Sequence, residues 1–144
     1  MNHSMIPKGD SIIFHFSFFI FHSDSLGESA GRFVMKFSTS LKFNHIFQRL
    51  YRTGGQANGY LVLYARKNRL GMNRVGITVG KKLGKAHIRN RIRRRVREIY
   101  RLNEDKFRTG WDIVVVVRGK AVDAPFDKLT EAYLSLAKKA GILL

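Results

Sequence analysis

The residues best suited to chemistry in this chain are cations. Lys81, Lys82 and Lys85 precede a run holding Arg89, Arg91, Arg93, Arg94, Arg95, Arg97 and Arg101, and Glu98 is the one carboxylate between positions 81 and 102. A face that only has to be soluble mixes charge signs, because opposite charges three or four residues apart on a helix attract each other. This run repels itself and calls for an external anion. Arginine dominates over lysine, and its planar fork suits bidentate phosphate contact and stacking on bases. At 100° per residue, Ile88, Ile92, Val96, Ile99 and Leu102 form one apolar stripe. Asn90, Arg93, Arg94, Arg97 and Arg101 fall opposite it, Arg89 borders one edge, and Arg91 and Arg95 border the other. A helix over residues 85–102 is therefore expected, buried along the stripe and binding a polyanion elsewhere. Its candidate contact set is Lys81, Lys82, Lys85, Arg89, Asn90, Arg91, Arg93, Arg94 and Arg97. The three lysines lie where backbone N–H groups at a helix start also favour phosphate.

Covalent chemistry has little to work with. Cysteine is absent, which removes disulfides, thiol nucleophiles and thiolate ligands. After Met35 the histidines are His45 and His87, and neither shows metal-ligand spacing. No Ser/His/Asp set stands out, and Glu104 and Asp105 are loop neighbours rather than converging carboxylates. Residues 80–85 loosely follow a phosphate-binding loop, but the spacing of Gly80 and Gly84 is short. Ala86 also stands where a magnesium-reaching Ser or Thr is required. No catalytic side chain and no metal ligand is assigned. A zipper-type DNA binder needs heptads after the basic helix, and a helix-turn-helix needs a helix shortly before it; neither pattern is present. A ribosomal or chaperone-like RNA binder remains as the competing class.

The helix needs a scaffold, and charge locates it. The formal charge is +17 over 144 residues. Residues 1–34 carry a net −1 and residues 35–144 a net +18. The first segment also holds the apolar run at 12–21, too short to span a bilayer and poorly flanked for a signal peptide. Residues 1–34 are expected to be a non-core extension, disordered or belonging to a misassigned start. Residues 35–144 are expected to form one domain.

Within that domain Ser40 is positioned to cap a helix over residues 41–52. Phe43, Ile46, Phe47, Leu50 and Tyr51 share its apolar face. Residues 60–66 read as a strand with Tyr60, Val62 and Tyr64 on one side and Leu61, Leu63 and Ala65 on the other. Residues 68–73 form a turn, and 74–79 a second strand. The continuous apolar run at 113–117 reads as a strand buried on both faces. Pro125 opens a last helix with Phe126, Leu129, Tyr133, Leu136 and Ala140 as its stripe, and Gly141 closes it. The expected architecture is α+β, in the order α-β-β-(β)-α-β-α, with helices covering one side of a small mixed sheet.

The segment Val79-Gly80-Lys81-Lys82-Leu83-Gly84-Lys85-Ala86, followed by Ile88-Arg89-Asn90-Arg91-Ile92-Arg93-Arg94, closely resembles the signature of the bacterial ribonuclease P protein subunit. The likeness extends through Phe37-Ser38-Thr39-Ser40-Leu41-Lys42, Leu61-Val62-Leu63-Tyr64, Gly110-Trp111-Asp112-Ile113-Val114 and Lys139-Ala140-Gly141. It implies a ribosomal protein S5 domain 2-like fold with a left-handed βαβ crossover. It further implies a cytoplasmic subunit of an endoribonuclease that joins a catalytic RNA to remove the 5′ leader of precursor tRNA. The magnesium is then held mainly by RNA, and neither a membrane nor a further protein partner is required. By the same resemblance Phe47, Tyr51, Val62 and Tyr64 line the leader cleft between the first helix and the sheet. Aromatic residues at these spacings equally suit a core, and both readings stay open at this point. Gly80 stands where the family often has Ser, Lys85 where it often has Asn, and Phe43 and Ile46 replace commonly polar positions.

Overall fold

The structure, a computed structural model, describes Met35 and residues 38–144; the extension expected over 1–34 lies outside the described residues. Along the chain run β1 (Ser38–Ser40), α1 (Asn44–Tyr51), β2 (Gln56–Ala57), β3 (Leu61–Lys67), β4 (Asn73–Val79), α2 (Ala86–Leu102), β5 (Trp111–Val117) and α3 (Phe126–Lys139). The strands form one mixed sheet in the order β1-β4-β5-β3-β2. β5 is central, parallel to β4 and antiparallel to β3, and β1 extends the β4 edge in parallel.

Pleat alternation sends Leu61, Leu63, Val75, Ile77, Val79, Ile113, Val115 and Val117 to one face. There they meet Ile92, Val96 and Ile99 of α2 and Leu129, Tyr133 and Leu136 of α3 in the main core. Tyr64, Val114 and Val116 point the other way and pack with Leu41, Ile46, Phe47, Leu50 and Tyr51. The expectation that all helices cover one side is corrected: α1 lies on the face opposite α2 and α3. Residues 113–117 are apolar at every position, so leaving either side wet would expose valine.

Two further expectations change. Residues 38–40 are strand rather than a cap, because Leu41 donates its N–H to the Val75 carbonyl (2.9 Å) and carries the edge pairing past Ser40. Helix α1 consequently starts later, with Phe43 at its N-cap making no side-chain cap bond. That moves Phe43 off the apolar stripe, and it is 55% exposed. At the end of α2 it is Tyr100, fully buried, that completes the core, while Leu102 is exposed. Tyr100 stacks near Phe107 (centroids 4.7 Å) and shares hydrogen bonds with Ser38 (2.8 Å) and Asn73 (2.9 Å).

Candidate nucleic-acid interface

The cationic surface is built where β4 hands the chain to α2. After Val79 a single 3-10 turn, Lys81–Leu83, presents Lys81 and Lys82 to solvent. Gly84 then reverses the chain at φ 142°, a region L side chains rarely adopt; a Cβ there would also lie 3.1 Å from the Ile88 side chain. Lys85 is the N-cap of the 17-residue α2 and makes no side-chain cap hydrogen bond, and the first turn holds no acid. The helix start thus presents N–H dipoles beside three exposed lysines, a natural seat for phosphate.

Along α2 the arginines divide by what they touch. Asn90, Arg91 and Arg94 are exposed and Arg97 is half-buried. Arg89 is 9% exposed and its Nε donates to the Gly84 carbonyl (3.1 Å), bracing the turn. Arg93 is corrected from an outward position: it is 4% exposed, with Nη1 donating to Asn90 Oδ1 (2.7 Å). The helical wheel gives a direction from the axis but not what lies above the side chain. Arg91 and Arg95 reach the carbonyls of Val122 and Ala124 and tie α2 to the β5–α3 connection. Burial, then the neighbouring Arg91 charge, lowers the Arg95 pKa from its ordinary value. Arg101 is engaged by Glu98 (Nε to Oε1, 2.9 Å), and that bond holds the Glu98 carboxyl below its usual range. The exposed and half-buried cations at this end of the helix form an arc of Lys81, Lys82, Lys85, Arg91, Arg94 and Arg97.

Arg118 and Lys120 extend this end of the sheet and were missed by the sequence reading. The parallel register Val79↔Val117 sets the ends of β4 and β5 side by side, and Gly119 lies near Leu83. Lys120 sits over the Tyr60 ring (5.2 Å), and Arg118 Nη1 donates to the Asn58 carbonyl (3.0 Å). Only strand pairing reveals this proximity.

The four residues of the second candidate set come together between α1 and the sheet. Phe47, Tyr51 and Tyr64 are at most 4% exposed, and Val62 is half-buried beside them. Tyr51 meets Tyr64 edge-on (5.1 Å) and shares a hydrogen bond with Thr78 (3.0 Å). Of the cleft and core readings left open for these aromatics, the burial is that of a second small core. Among the described residues no three His, Asp or Glu side chains converge to hold a metal ion, and no helix is long and apolar enough to cross a membrane.

Comparison with known proteins agrees with this architecture. A family model described as Ribonuclease P matches residues 35–141. The ribonuclease P protein component of Clostridioides difficile is 43% identical over 104 residues, covering 71% of this chain and 91% of that protein. That of Alkaliphilus oremlandii is 40% identical over 110 residues, covering 76% and 96%. The solved RNase P protein of Staphylococcus aureus superimposes with a TM-score of 0.67 at 31% identity, covering 76% of this chain and 99% of that one. The Thermotoga maritima protein gives 0.64 at 35%, covering 69% and 96%. With the Lys-Lys turn, the arginine helix and the mixed sheet in the arrangement described, the chain belongs to the ribonuclease P protein-component family.

Proposed function

We propose that this protein binds the catalytic RNA of ribonuclease P and, with it, holds precursor tRNA while the 5′ leader is removed. The observation that carries the reading is the cationic arc around the uncapped start of α2, where Lys81, Lys82 and Lys85 meet Arg94 of the helix's exposed side. Such a surface neutralises phosphates and fixes the register of a folded RNA without reading its sequence. Bond cleavage falls to the RNA and the magnesium it holds, in the cytoplasm where precursor tRNA is made. The protein contributes binding and position.

The leader is assigned to the α1 side of the sheet, where Phe47, Tyr51, Val62 and Tyr64 lie. Since three of these are interior, their contribution is to fix α1 against β3 and β5, with Val62 at the margin nearest solvent. A leader running beside this face is held through its phosphates, which carry no sequence information, and that suits a substrate whose leader varies.

The test is reconstitution. Purified protein added to the catalytic RNA at low magnesium should restore cleavage of precursor tRNA. The Lys82→Gln, Arg94→Gln double variant should weaken assembly with that RNA and flatten its salt dependence by roughly 1.4–1.8 log units per log unit of salt, at 0.7–0.9 for each phosphate. Failure to restore cleavage, or unchanged affinity and slope in a folded variant, would overturn the reading and favour a different RNA partner.

A further inference from the structure

A second cationic site sits at the end of the sheet away from the lysine turn. Pleat alternation and register put Arg66, Asp112 and Arg74 in one transverse row on the α1 face, with Asp112 paired to both neighbours across adjacent strands. Helix α1 closes the row from above with His45 and Arg49, and the turn after β3 contributes Arg69. Together they line a recess of about 610 Å³. Four arginines face it against one carboxylate, and that carboxylate is fully engaged. Arg74 binds Asp112 through both oxygens (Nε to Oδ1 and Nη2 to Oδ2, each 2.7 Å), and Asn68 Nδ2 donates to Oδ1 (2.9 Å). Arg49, Arg66 and Arg69 are exposed and have no carboxylate partner among the described residues.

Exposed apolar side chains neighbour the lining residues along the chain. Phe43 is 55% exposed and its ring lies 5.8 Å from that of His45. Leu70 and Met72, in and just after the turn, are 54% and 40% exposed. Unpaired guanidinium groups beside an exposed ring pair are what a single nucleic-acid strand needs. Cations follow its phosphates and rings stack its bases.

We infer that this recess binds phosphodiester groups of single-stranded RNA, with Phe43 and His45 stacking an adjoining base, and that the strand is the 5′-distal part of a long leader. The assignment rests on the reading that the leader runs along α1. It gives the protein a second anion site at the opposite end of β3, β4 and β5 from Lys81 and Lys82. Seven-residue strands separate the two by roughly 20 Å.

The experiment uses the full chain with the catalytic RNA and three substrates: mature tRNA, a short-leader precursor and a long-leader precursor. In the Arg49→Gln, Arg66→Gln double variant, affinity for the long-leader precursor should fall about tenfold, with its salt slope lower by about 1.4 at 0.7 per single-strand phosphate. Phe43→Ala should cost at least about fivefold on the same substrate, the lower bound for one stacked base. The short-leader precursor and mature tRNA should be bound as before. Because the chain has no cysteine, a photo-crosslinker on Arg69→Cys, in the exposed turn that lines the recess, reports the contact independently and should label the distal leader. If the parent holoenzyme distinguishes precursor from mature tRNA but the variants lose nothing on the long leader, the recess assignment is overturned and the α1 reading stands. If the variants weaken all three substrates equally, the recess holds another part of the RNA and the leader assignment is wrong. If the parent does not distinguish precursor from mature tRNA, the underlying reading itself fails.

Discussion

Gly76 offers a sharp test of whether the α1 face is a closed core. It lies mid-strand in β4, and a Cβ built there would sit 2.4 Å from Cζ and 2.8 Å from Cε1 of Phe47. Alanine in a strand is intrinsically preferred to glycine by roughly 0.5–1 kcal/mol, so on an open surface Gly76→Ala would stabilise. Here the Phe47 ring is 1% exposed and sits against Tyr51 (6.4 Å) and the sheet, so the ring has no empty space to enter. Overpacking of this kind costs about 1–3 kcal/mol. At roughly 4 °C per kcal/mol for a domain of this size, the midpoint should drop by about 4–12 °C. Phe47→Leu removes the colliding atoms at its own cost of about 1–2 kcal/mol. In the double variant Gly76→Ala, Phe47→Leu the two losses should therefore not add, and a coupling of about 1 kcal/mol or more is expected. Thermal and urea unfolding of the four proteins measures it. Additive losses, or a stabilised Gly76→Ala, would refute the closed core and favour a cleft into which Phe47 swings freely.

Tyr64→Ala removes a side chain 1% exposed that packs on Tyr51. It should cost about 3–5 kcal/mol, so its effect on precursor binding is interpretable only below the shifted melting point. A variant that stays as stable as the parent would contradict the burial. Asn73, 2% exposed, donates to Tyr100 and to the Arg108 carbonyl and accepts from the Trp111 N–H (2.8 Å). Asn73→Ala should lose roughly 2–4 kcal/mol by urea unfolding, and a loss under 1 kcal/mol would argue against that network. Burial raises the Tyr133 pKa well above its ordinary value and Tyr100 in the same direction. Their contribution is complete below about pH 10, where unfolded tyrosine starts to ionise, and is lost as pH rises further. The Tyr133 hydroxyl has no hydrogen-bond partner among the described residues, so Tyr133→Phe should be at least as stable as the parent at neutral pH and lose less stability above pH 10. Glu98 works in the other direction. Its depressed pKa gives a small stabilisation that is present above the usual carboxylate range and lost as acid protonates it. Glu98→Gln should flatten the acid limb of the stability profile, and an unchanged limb would leave the Arg101 pair without effect.

The sequence by itself determined the chemistry and most of the elements. The run of seven arginines around the stripe of Ile92, Val96 and Ile99, four of them opposite it, needs only helical geometry to be read as a buried stripe with a cationic remainder. The Lys-Lys turn and the arginine-asparagine motif carried the family. Alternation in residues 60–66 assigned Leu61 and Leu63 to one side and Val62 and Tyr64 to the other, as the two cores do. Tertiary structure decided what periodicity does not contain. The three-residue strand β1 is too short for a pattern and exists because the β4 edge offers partners. That pairing delayed α1 and turned Phe43 outward. Residues 113–117 announced two buried faces, but which helix covers each depends on connections through space. Arg93 became interior and Arg118 joined the lysine turn because neighbouring elements cover one and deliver the other. Arg66, Asp112 and Arg74, up to 46 positions apart in the chain, became a single row through register alone. Local spacing fixes direction from an element's axis, whereas burial and charge pairing depend on what the rest of the chain brings alongside.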